Sequence, residues 1–147
     1  MSLRAERLQR LLAIRKLSED IDRRALKLAL AALAEVEAGL QRQQTALLES
    51  NLARRSALAS GDRGEWLIAD AQSEVAGWNR GRLRTLLSAR ANCASEATQK
   101  FLDSRREHEM VKQVIDDADR LARNEEEHKT QAVTDDWFLS RRKPPAD

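Results

Sequence analysis

Ser60-Gly61-Asp62-Arg63-Gly64 is the one dense cluster of helix breakers between Met1 and Lys143. Elsewhere glycine stands only at positions 39, 77 and 81, and both prolines fall at 144 and 145. Proline costs a helix interior about 3 kcal/mol and glycine about 1 kcal/mol. A chain that avoids both for so long is written to be helical on either side of that cluster. The cluster itself has turn chemistry. Gly61 suits the left-handed residue that ends a helix, and Asp62 with Glu65 three positions on reads as a capping box opening the next.

Outward from the turn, hydrophobic periodicity sets the pairing. Leu12, Leu26, Leu33, Leu40 and Leu47 lie on one seven-residue grid, interrupted only by Glu19, with Ala29 and Val36 between them and Leu30 alongside. The second half repeats the pattern with Leu87, Ala94, Phe101, His108, Ile115 and Ala122, and with Ala97, Val111 and Ala118 between. Such heptads favour supercoiling against a partner helix. Folding the chain at the turn sets Leu40 beside Leu87, Leu33 beside Ala94, Leu26 beside Phe101, Glu19 beside His108 and Leu12 beside Ile115, although a slip of one heptad would also align hydrophobic rows. Large residues then meet small or aromatic ones, as close packing requires. The expected fold is all-α: two long antiparallel helices in a coiled-coil hairpin, the first over residues 2–60, the second over 64–142, and the turn at Gly61–Gly64. The seam fades after Leu52 into Arg54-Arg55. Leu8, Leu11, Ile14, Ile21 and Leu28 widen its face at the N-terminal end.

Two features leave alternatives open. Gly77 and Gly81 flank Trp78-Asn79-Arg80, which predicts either a mild bend or a separate tip helix over residues 65–77 presenting Trp66, Leu67, Ile68 and Trp78. The same register leaves residues 125–147 without a partner from the first helix. Their Asp135-Asp136-Trp137-Phe138-Leu139 run either folds back on Leu3, Leu8 and Leu11 or serves as a docking element.

Composition narrows the function. Charged residues make up 34% of the chain and aromatic residues 3%, which fits long helices rather than an aromatic-cored globule. The net charge of +2, from 26 basic and 24 acidic groups, is weak support for nucleic-acid binding. Lone Cys93 excludes an intrachain disulfide framework, fits a reducing compartment and is expected to be a small core filler. The charged N-terminus is unlike a signal peptide. No phosphate loop, HExxH motif or nucleophile–base constellation is present, so no enzyme, cofactor, metal or small-molecule substrate is expected. The Glu19–His108 pair reads as a device that fixes register.

The candidate sites are surfaces. At the open end stand Arg4, Arg7, Arg10 and Arg15 with Lys16, and residues 1–30 hold eight basic and four acidic groups. The same end carries Trp137, Arg141 and Arg142, and Trp and Arg are the types most enriched at binding hot spots. Near the turn stand Trp66, Ile68 and Trp78.

The opening from Leu3-Arg4 through Leu11-Leu12-Ala13-Ile14-Arg15-Lys16 and the closing from Glu125-Glu126-Glu127-His128-Lys129 through Asp135-Asp136-Trp137-Phe138, on a hairpin of this length, resemble the FliJ/YscO family. These are central-stalk proteins of flagellar and type III secretion export. The resemblance implies a cytoplasmic protein, monomeric when free, at the inner-membrane export apparatus. Its open end would enter the pore of a hexameric export ATPase, as the γ subunit does in a rotary ATP synthase. Its turn end would reach the cytoplasmic ring of the export gate, and some members also escort export chaperones. The alternatives are a generic scaffold or self-associating adaptor that buries Leu8 and Leu28 against a copy of itself, and a nucleic-acid-associated coiled coil.

Overall fold

The structure is a computed structural model and describes residues 2–142. Two helices account for almost all of them: α1, Leu3–Ser60, and α2, Arg63–Arg141. They pack against each other as a helical hairpin, and the described residues contain no strand. The helices contribute to two compact units. One joins the α1 segment ending at Glu19 to the α2 segment beginning at Ser104; the other is Asp20–Asp103.

Local chemistry explains the helix ends. The Ser2 hydroxyl accepts from the Ala5 N–H at 3.2 Å and caps α1. At the turn Gly61 has φ of +76°, and the Asp62 N–H donates back to the Ala57 carbonyl at 3.1 Å. That bond closes a Schellman motif, which satisfies a carbonyl the last helical turn would otherwise leave open. Asp62 then caps α2, its Oδ1 accepting from the Glu65 N–H at 3.1 Å. The expected capping box is therefore only half made: the Asp62 N–H goes to Ala57. Gly77 and Gly81 interrupt nothing. α2 is one continuous helix, so the separate tip helix over residues 65–77 does not form.

The unit containing the turn has a core of small side chains. Ala57, Ala69 and Ala76 are 2%, 3% and 4% exposed, and Ser50 is buried beside them. The seam therefore does not fade after Leu52. It continues in alanine and serine. Arg54 sits on this seam and is held rather than excluded, with Nη1 on Asp70 Oδ1 at 2.9 Å and Nη2 on Asn51 Oδ1 at 3.2 Å. The Ser73 hydroxyl donates to the same Asn51 oxygen at 3.2 Å. Farther from the turn Val36 and Ala94 are buried, while Leu26, Leu33, Leu40, Leu47 and Leu87 are half-buried. Phe101 is half-buried beneath the Arg23 guanidinium, 5.5 Å from its ring centroid. Cys93 is exposed, not a core filler: it lies one residue off the grid position held by Ala94.

In the other unit Ile115 and Glu19 are buried and Leu8, Leu12, His108 and Val111 half-buried. The seam stops sooner than its sequence grid. Ala118 and Ala122 are exposed, and so is every residue from Ala118 to Arg142.

Candidate docking surfaces

Glu19 and His108 meet as the heptad register requires, with His108 Nδ1 2.7 Å from Glu19 Oε2. A carboxylate with 9% of its side chain exposed is costly to bury unless paired. The pair therefore locks this unit in one register and has the geometry of a structural element. Among the described residues no group of three metal-ligating side chains gathers here or elsewhere.

Four turns of α1 open the same unit. Arg4, Arg7 and Arg10 are exposed. At 100° per residue they fan over about 120° of the helix surface rather than forming one stripe. Arg4 borders a groove of about 550 Å³, whose floor is Leu8, Ile115 and Ala122 and whose rim includes Asp119 and Glu125. Arg15 stands apart from these three. Its Nη1 lies 2.6 Å from Glu107 Oε2, an ion pair between the helices that reinforces the Glu19–His108 register.

Beyond Leu121, α2 continues without folding back. Val133 is 69% exposed, Trp137 50%, Phe138 56% and Leu139 64%. The Trp137 and Phe138 rings meet edge to face, 5.1 Å between centroids. Arg141 lies over the Trp137 ring at 4.2 Å, a cation–π contact that holds the indole against the helix. Trp137 and Arg141 are thus one feature. Arg142 follows the last helical residue, its N–H shared between the Phe138 and Leu139 carbonyls. Pro144 and Pro145, which as prolines would stop a helix, lie outside the described residues.

In the other unit Trp66, Ile68 and Trp78 do not form one patch. Trp66 is half-buried over Ala57, Leu58 and Gly61, and its Nε1–H is buried without an acceptor. Ile68 and Trp78 are 61% and 67% exposed on other faces of α2. Arg82 lies over the Trp78 ring at 5.3 Å. Exposed Leu67 and Val75 join Ile68 and Trp78 in a strip spanning about 100° of α2. Val75 was legible as the i+7 neighbour of Ile68. Met110, Val114 and Leu121 form a second exposed strip within about 40° on α2, also missed because it lies off the interhelical grid.

Compared with known proteins, the chain matches no family model, and no curated protein or solved structure is similar to it at a significant level. No helix among the described residues is long and apolar enough to cross a membrane.

Proposed function

We propose that this chain is a non-enzymatic central stalk of a type III protein export apparatus, acting between a hexameric export ATPase and the membrane export gate. The observation that carries the reading is the end of α2. An exposed helix bearing Trp137 and Arg141 runs on beyond the last half-buried residue of its unit, and the same unit carries exposed Arg4, Arg7 and Arg10. A projecting helix of that kind can enter an acidic pore, where the arginines find carboxylates and the indole finds an apolar wall. The exposed Leu67, Ile68, Val75 and Trp78 strip is a second, chemically different surface, suited to the cytoplasmic ring of the gate. In this reading the protein works at the cytoplasmic face of the inner membrane. It transmits ATP-driven changes to the gate and assists delivery of substrates by their chaperones.

The test is co-sedimentation of the full chain with a hexameric export ATPase at two salt concentrations. One chain per ring is expected, lost when Arg4, Arg7 and Arg10 are all replaced by Glu. Failure to bind any such hexamer overturns the reading. The second reading is a self-associating scaffold, favoured by Leu28, which is 73% exposed on α1.

A further inference from the structure

The projecting face of α2 has a symmetry of its own. Glu126, Thr130, Val133, Thr134, Trp137 and Arg141 fall within about 100° of the helix surface. All six are exposed. Read from either end, the face complements itself. An antiparallel second copy, centred between Val133 and Thr134, sets Glu126 against Arg141 of the second copy. Trp137 then covers Thr130 of the second copy, and the Val133 and Thr134 pairs meet at the centre. The outer contact joins opposite charges, and symmetry makes it twice, once at each end. A parallel copy would instead set Glu126 on Glu126 and Arg141 on Arg141.

We infer that two copies of this chain associate tail to tail through this face, antiparallel, with Glu126–Arg141 contacts at both ends of the interface. The occupant is a second copy because the charge order along the face is complementary to its own reversal. The intramolecular stack of Arg141 on Trp137 at 4.2 Å pre-positions the cation beside the apolar centre. Antiparallel helix dipoles add to the preference. The paired stretch is about 24 Å long at 1.5 Å per residue. It buries on the order of 1,000 Å², short of the roughly 1,200 Å² at which stable interfaces begin. The association is therefore weak, and the dilute chain is a monomer. This inference does not depend on the stalk reading.

Sedimentation of the full chain from about 1 μM to about 1 mM tests it. Association should appear at the upper end of that range. Arg141→Glu and Glu126→Arg should each weaken it about tenfold, and the two together should restore it. In a Cys93→Ser background, Val133→Cys should cross-link two chains. Glu126→Cys should not, because its counterpart lies about 22 Å along the axis. No association at the highest concentration overturns the inference. So does cross-linking of the Glu126→Cys chain as readily as the Val133→Cys chain, which would mean a parallel pair. Association that ignores the tail charges and is lost in Leu28→Glu also overturns it, and places the contact on α1.

Discussion

His108 Nδ1 and Glu19 Oε2 lie 2.7 Å apart in the seam between α1 and α2, where both heptad grids carry a polar residue. Removing one partner leaves the other half-desolvated. His108→Ala should destabilise the chain by about 2–3 kcal/mol, below the 3–5 kcal/mol of a fully buried pair because the imidazole keeps some solvent. Glu19→Leu with His108→Leu should recover that loss, since apolar residues of similar size pack at least as well. Urea unfolding of the single and double variants measures both.

Glycine substitutions should have opposite signs at the turn and in α2. Gly61→Ala puts a Cβ on a residue at φ of +76° and should cost about 1–2 kcal/mol. Gly77→Ala and Gly81→Ala add a Cβ that meets nothing within 4 Å in a helix interior. Each should stabilise by about 0.5–1 kcal/mol. Thermal melts of the three variants decide this, and equal signs would contradict the assigned turn.

The alanines near the turn are predicted to be intolerant of size. Ala76 is 4% exposed and Ala69 3%. Replacing either with Leu should cost about 1–3 kcal/mol through overpacking. The same substitution at exposed Ala118 should change stability by less than about 0.5 kcal/mol. Chemical denaturation of the three chains is the measurement.

Asn51→Ala should loosen the polar cluster beside that core. Its side-chain oxygen accepts from both Arg54 and Ser73, each at 3.2 Å. Loss of two part-buried hydrogen bonds should cost about 1–2 kcal/mol, seen as a lower urea midpoint. Hydrogen exchange should rise in residues around 51–73 while the Glu19–His108 region keeps its protection.

Trp137→Ala separates function from stability. The indole is 50% exposed, with its helical neighbours Phe138 and Arg141 against the ring. The melting temperature should stay within about 2 °C, while the proposed stalk role requires capture by an export ATPase to fall by tenfold or more. A large fall in melting temperature would mean that the tail packs on its own unit.

Much of this was written locally. The breaker cluster at Gly61 specified the turn because only glycine enters the left-handed region without steric cost. The leucine grid specified the pairing partner of each helix, and Glu19 faces His108 as that grid requires. What periodicity could not display was a seam made of Ala57, Ala69, Ala76 and Ser50. The side chains buried there are small, and small side chains carry little hydrophobic signature. For the same reason Arg54 read as the end of the seam, although Asp70 and Asn51 hold it there. Whether the Trp137 run folded back was also beyond the sequence. That depends on which groups lie across space, and Trp137 stays half exposed with Phe138 and Arg141 against its ring. The sequence by itself determined two helices and their turn, because those follow from helix propensity and backbone sterics; its seven-residue repeat offered a register that the contact of Glu19 with His108 selects. Only the tertiary structure decided which surfaces remain uncovered, because exposure is a property of what the partner helix fails to reach.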